Sequence, residues 1–410
     1  MGHTRENIGW VANTMPPTDC SANLGLLGAS SVAAARAFHA SIPGYEPTPL
    51  ARLDALASHL GLGGLYVKDE SFRFGLNAFK VLGGSFAVAA YIARRLGRDV
   101  SEVGFETLVS PETKAQTGEL TFYTATDGNH GRGVAWAANR LGQKSVVCMP
   151  TGSSPARLEA IVREGAQASI TDMNYDDAVR YVNGLAEADP DGVMVQDTAW
   201  DGYEEIPAWI MQGYATMAAE ADEQLKAAGV TRPTHVFVQA GVGSLAGAVQ
   251  GYFANAYGEA CPVTTVVEAQ AADCLYRSAC AGELVAVGGD LSTIMAGLAC
   301  GEACTLSWDI LRNRARAFVS VPDWVSGHGM RLLAAPLAGD PPVKSGESGA
   351  VGAGLVSVLM TDGGYGDLRQ ALGLGPDSQV LCFSTEGDTD PEMYRSVVWD
   401  GFNPSYRVQG

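Results

Sequence analysis

Long apolar runs, paired cysteines and positive charge are what this 410-residue sequence has least of. No uncharged apolar stretch reaches the ~18 residues that a membrane helix needs. The opening residues, MGHTRENIGWVANTMPPTDC, lack a positive segment followed by an apolar one, so no secretion signal is expected and cytoplasmic residence is the default. The eight cysteines (Cys20, Cys148, Cys261, Cys274, Cys280, Cys300, Cys304, Cys382) contain no C-x-x-C pair. That argues against a zinc site and a secreted disulfide framework; no metal is expected, and a bridge within the group from Cys261 to Cys304 stays open. Lys and Arg total 27 against 45 Asp and Glu, a net charge of −18, which repels nucleic acid and anionic lipid alike. Internal repeats, low-complexity tracts and flexible linkers are also missing.

What is present is a large α/β pattern. Hydrophobic residues make up 47% and charged residues 18%, enough for a sizeable core, and the length suggests two domains. From Leu65 onward strand-like runs alternate with helical ones. LYVKD, LTFYTAT, KSVVCMP, ASITD and GVMVQD read as strands; Asn77 looks like an N-cap for a helix from Phe79 to Leu96, and the charged segment 97–119 reads as a loop. Further helices are expected at 131–141, 154–164, 175–186 and 207–228, and further strands at THVFVQA, VTTVVEA and QVLCFSTEGD. Such β-α units make two lobes, each with a mostly parallel sheet flanked by helices, and ligands belong beyond the carboxyl ends of the strands.

One charged residue stands out. FGLNAFKVLGGSFAVAAY places Lys80 at the start of a helix that is apolar nearly all round. Most lysines face solvent, but a buried helix leaves this amine short of water. A helix N-terminus and apolar neighbours both disfavour an ammonium, so a partly neutral, nucleophilic amine is expected. Gly83 and Gly84 suggest a close neighbour to that helix.

A second signal is HVFVQAGVGSLAGAVQGY, where Gly241, Gly243 and Gly247 follow a strand and precede a helix. Free N–H groups at a helix start cradle phosphate. Three readings are open here: a dinucleotide site with Glu268 on the ribose, glycines that serve packing alone, and the phosphate of a pyridoxal cofactor. A pyridoxal enzyme needs a lysine to hold its aldehyde as a Schiff base, and a nicotinamide enzyme does not.

With these residues in view the sequence resembles the fold-type II pyridoxal phosphate enzymes, the tryptophan synthase β and serine/threonine dehydratase group. Within it the sequence is similar to the diaminopropionate ammonia-lyases. YEPTPL, KDESFRFGLNAFK, TDGNHGRGVAWAA, TDMNYDDAVR, QDTAWDGYEEIPAWIMQGYAT, QAGVGSLAG, TIMAGLACGE, SGESGAVG and STEGDTDP carry the likeness from about Tyr45 to Tyr394. It implies a large cofactor-binding domain of residues 1–85 and 201–410, a small substrate-side domain of 86–200, and a homodimer.

The resemblance also implies roles. Lys80 would carry the internal aldimine and Phe79 would pack against the ring. Gly241, Val242, Gly243, Ser244 and Leu245 would cradle the phosphate, and Asn129 would hydrogen-bond the phenolic oxygen. Thr126, Gly128 and His130 would surround the substrate carboxylate. Ser384, or its neighbour Thr385, would meet the pyridine nitrogen, with Glu347 near the ring. Asp127 stands where the wider group has a small residue; it would recognise a second substrate ammonium, with Asp197 adding another charge. The plainer readings make Asp127 an Asx-type turn residue and Asp197 an N-cap. The implied reaction is elimination of ammonia from D- or L-2,3-diaminopropionate, giving pyruvate and two ammonia. The alternatives are a serine/threonine dehydratase with the same cofactor, a nicotinamide-dependent oxidoreductase and a non-catalytic nucleotide-binding module.

Overall fold

The computed structural model describes residues 6–405. The chain opens a large sheet with β1 (Gly9–Ala12), β2 (Leu50–Arg52) and β3 (Gly64–Asp69). It then builds a separate small sheet from β4 (Thr121–Ala125), β5 (Lys144–Met149), β6 (Gln167–Ile170) and β7 (Gly192–Met194). It returns to the large sheet with β8 (His235–Gln239), β9 (Val263–Ala269), β10 (Ala317–Val321) and β11 (Gln379–Ser384).

The large sheet has the order β1-β10-β9-β8-β11-β3-β2 and the small one β6-β5-β4-β7. Five central strands of the large sheet are parallel, and both edge strands run antiparallel to their neighbours. All pairings in the small sheet are parallel. β3, β8 and β10 are buried at every position, as strands covered by helices on both faces must be, and so they are mostly apolar, without a polar face.

The helix Val81–Arg95 buries twelve of its fifteen residues. Its large apolar residues, Leu82, Phe86 and Ile92 among them, each contribute about 1.5–3 kcal/mol when fully buried. Close approach explains its glycines. A Cβ on Gly83 would lie 2.5 Å from Tyr214 of the helix Glu205–Ala227, and one on Gly133 of the helix Asn129–Arg140 would lie 2.8 Å from the Val81 Cα. Alanine at either site forces the helices apart.

The structure corrects several details. Asn77 is not an N-cap: it adopts φ 61°, and Lys80 itself occupies the cap position without a side-chain cap bond. Residues 97–119 are not a plain loop but hold short helices at Phe105–Leu108 and Pro111–Thr117. The strand in GVMVQD stops at Met194. All eight cysteines are free thiols, so the bridge left open around Cys261 and Cys304 does not form. Among the described residues no group of side chains suits a metal ion, and no helix is long and apolar enough to cross a membrane.

Candidate active site

Strand order assembles the site. β11 lies between β8 and β3, all parallel, so the loops leaving their carboxyl ends emerge together, with Ser384 opposite Asp69. Gln239, the last residue of β8, donates through Nε2 to the Phe383 carbonyl (2.9 Å) and to Thr385 Oγ1 (2.8 Å). After β3 the chain is pinned to the same place. Phe79 N donates to the Thr385 carbonyl and Gly387 N to the Asn77 carbonyl, each at 3.0 Å. Asn77 tolerates the left-handed backbone this turn requires, and its amide donates to Asp388 Oδ1 at 3.1 Å.

Lys80 follows directly. Its side chain is 14% exposed, and Nζ lies 3.0 Å from Asp197 Oδ2. Burial disfavours the ammonium, but Asp197 and then Asp127 outweigh burial and hold the amine well above its ordinary value. The expectation of a partly neutral amine is therefore corrected: an opposite charge at 3.0 Å overrides desolvation and the helix end. Asp197 is itself held down at about 2 by the Lys80 charge and then by His130, against its own burial. His130 Nε2 lies 2.8 Å from the Val195 carbonyl, so Nε2 carries the proton. That leaves Nδ1, 3.9 Å from Asp197 Oδ2, with a lone pair when the ring is neutral. Burial, reinforced by the charge on Lys80 and opposed by Asp197, keeps this imidazole below its usual value.

Opposite the amine, the helix Ser244–Tyr257 starts with no side-chain cap, leaving its first N–H groups without intrahelical partners. Gly243 holds φ +95°, and a Cβ there would lie 2.9 Å from Ser307 Oγ, so only glycine fits the turn. Ser244 Oγ donates to the Asp197 carbonyl at 2.5 Å, locking the glycine loop to the lysine's partner. Glu268 has another duty: it accepts from Leu275 N (2.9 Å) and Tyr276 N (2.6 Å), capping the helix Cys274–Ala281. The nicotinamide reading loses its ribose acid here.

The turn after β4 supplies the third wall. Thr126 Oγ1 accepts from Gly128 N (2.9 Å) and Gly131 N (3.0 Å), so the turn is closed by Thr126 and not by Asp127. Asp127 Oδ2 has no hydrogen-bond partner and lies 3.6 Å from Arg157 Nη1. Asp197 is no N-cap either, because the next helix begins at Glu205. Asn129 Nδ2 donates to Glu386 Oε2 at 2.5 Å, and Glu386 Oε1 accepts from Ser348 N at 3.0 Å. Ser384 Oγ donates to Ser345 Oγ at 2.8 Å. Both Glu347 oxygens are buried without partners, and burial, then the nearby Glu386, pushes that carboxyl up to about 8.

One cavity gathers Phe79, Lys80, Asn129, Asp197, the loop Gly241–Leu245 and Thr385. Thr126, Asp127, Gly128, His130, Glu347 and Ser384 do not line it but adjoin residues that do. Glu386 and Gln239 line it without having been singled out in the sequence. Glu386 was readable as an acid just past a strand end; Arg157, on an amphipathic helix, gave no signal. The residues present fit pyridoxal phosphate. An amine, an uncapped helix start and buried polar atoms without partners (Asp197 Oδ1, Ser348 Oγ) surround one cleft.

Comparison with known proteins agrees. Residues 42–385 match the family described as "Pyridoxal-phosphate dependent enzyme". A diaminopropionate ammonia-lyase of Salmonella typhimurium is 52% identical over 368 residues, 89% of this chain and 91% of that protein. The crystal structure of the Escherichia coli diaminopropionate ammonia-lyase with D-serine superimposes with a TM-score of 0.90 at 47% identity, covering 97% of this chain and 98% of that one. The same enzyme with an aminoacrylate-PLP azomethine reaction intermediate gives 0.88, again at 47% identity and the same coverage. On this evidence the chain belongs to the pyridoxal-phosphate dependent enzymes, and within them to the diaminopropionate ammonia-lyase family.

Proposed function

We propose that the protein eliminates ammonia from 2,3-diaminopropionate of either hand, yielding pyruvate and two ammonia per substrate and water consumed. The observation that carries this is the meeting of the Lys80 amine, the uncapped Ser244 helix start and Asn129 in one cavity. Lys80 is the residue that holds the cofactor covalently, and the N–H groups of Gly241–Leu245 bind its phosphate. Asn129 binds the phenolic oxygen, Phe79 packs on the ring, and Ser384, or its neighbour Thr385, meets the ring nitrogen. Pyridoxal phosphate, once bound, supplies an electron sink for the charge left when the Cα–H bond breaks.

The chain's own groups do the rest. Thr126, Gly128 and His130 surround the substrate carboxylate. Asp127 binds the second ammonium and keeps it protonated, so it leaves as neutral ammonia; Asp197 adds a second negative charge. Lys80 Nζ, in its neutral form, and the Asp127 carboxylate take the Cα proton from opposite faces, which allows both enantiomers. Glu347, held neutral near the ring, adds no charge there. A hydroxyl in place of a carboxylate at the ring nitrogen suits β-elimination over transamination. On the family likeness we also read the working form as a cytoplasmic homodimer, with 86–200 as the substrate-side domain and 1–85 with 201–410 as the cofactor domain.

Turnover of diaminopropionate, serine and threonine tests the substrate assignment. The expected result is the highest kcat/KM for diaminopropionate, with two ammonia released per pyruvate. Faster turnover of serine or threonine would reassign the chain as a dehydratase.

A further inference from the structure

We infer that Arg157 is a positioning residue for the reaction, acting through Asp127: it holds the Asp127 carboxylate in place for proton removal from one substrate enantiomer. The inference rests on the role of Asp127 proposed above.

The turn at 126–129 explains why an external partner is needed. Thr126 spends its hydroxyl on Gly128 N and Gly131 N, and Asn129 spends its amide on Glu386. Asp127 alone makes no hydrogen bond through Oδ2. Lys80 already faces Asp197 at 3.0 Å. The cation left for Asp127 is Arg157, whose Nη1 lies 3.6 Å from Oδ2.

Arg157 is built into place. It sits on the helix Pro155–Arg163 with 6% exposure, and its Nε has no partner. Its stem lies along the backbone that carries Asp127: Gly128 holds φ +149°, and a Cβ there would lie 2.9 Å from Arg157 Cδ. A buried guanidinium is costly unless compensated. Compensation comes from Glu386 first, then from Asp127 and Asp390, whose charges act on Arg157. Lys80, His130, Tyr175, Tyr214 and Cys300 are the other titratable groups within the field of Asp127.

The two enantiomers ionise identically in solution, so the D-to-L ratio of kcat/KM cancels substrate titration. It therefore reports enzyme groups that treat the two isomers differently. In Arg157→Met this ratio should move about tenfold or more in the direction in which Asp127→Asn moves it, the low end for a displaced general base. Arg157→Lys, which keeps the charge, should leave the ratio near its wild-type value. Arg157→Gln, polar and neutral, is read in place of the methionine variant if that one does not fold, and the same change is expected.

Asp127→Asn supplies the control: it should depress one isomer selectively, and adding Arg157→Met to it should change the ratio no further. Equal loss for both isomers in the neutral Arg157 variants, alongside a selective Asp127→Asn, would overturn the role of Arg157 alone. A non-selective Asp127→Asn would overturn the assignment of Asp127 and this inference with it.

Discussion

Asn129 Nδ2 stands 2.5 Å from Glu386 Oε2, and this bond joins the turn after β4 of the small sheet to the loop after β11 of the large one. A carboxylate only accepts, so Glu386 holds the Asn129 Nδ2 toward it with one N–H and leaves the second N–H of that nitrogen free to donate. Glu386→Ala should weaken pyridoxal phosphate binding by roughly tenfold, the scale of one hydrogen bond to a charged group. It should also shift the absorbance maximum of the bound cofactor. Glu386→Gln, able to accept from the same amide, should recover most of the affinity. Titration of apoprotein with cofactor, followed by absorbance, checks both.

Gly243 offers a cleaner test of the phosphate cradle. At φ +95° a β-carbon costs about 1–2 kcal/mol of backbone strain and meets Ser307 Oγ at 2.9 Å. Gly243→Ala should therefore lower affinity for pyridoxal phosphate tenfold or more. Affinity for pyridoxal, which has no phosphate, should change far less, and parallel titrations with the two separate a lost cradle from general damage.

Glu347 makes stability fall with pH. Its carboxyl is neutral in the fold up to about 8 and ionises near the ordinary 4.5 once unfolded. Between those values the folded state binds the extra proton, so each pH unit removes up to about 1.4 kcal/mol. Glu347→Gln takes away the titration, and its stability relative to wild type should climb from pH 5 to pH 8. Denaturant melts across that range measure it.

The opposite sign holds at Glu220. Its Oε2 lies 2.7 Å from both Lys68 Nζ and Arg73 Nη2, and all three side chains are buried. The Arg73 hydrogen bond, then the charges of Arg73 and Lys68, bring this carboxyl down to about 2 against its burial. Its contribution is present above 4.5 and disappears as pH falls toward 2. Glu220→Gln should cost about 3 kcal/mol at neutral pH, the scale for breaking a buried pair, and the deficit should shrink in acid. Unfolding midpoints at pH 7 and pH 3 give the comparison.

Local chemistry was legible in the sequence where it is written in consecutive residues. The lysine in an apolar run, the glycines between a strand and a helix, and the TDGNHG turn all fall into this class. The parallel sheets followed from alternating apolar runs. Edge strands β1 and β2, four and three residues long, carry too little pattern to register. The charge state of Lys80 is set by Asp197, 117 residues away, and so is not written in the local sequence. Glu386 meets Asn129 across 257 residues, and Arg157 reaches Asp127 only through the tertiary fold.

The most direct measurement is the site of covalent attachment. Purified protein saturated with pyridoxal phosphate, reduced with borohydride and digested, should carry the cofactor on the peptide containing Lys80. Lys80→Ala should lose both the label and the turnover of diaminopropionate. A label on another lysine, or full activity in Lys80→Ala, would contradict the account.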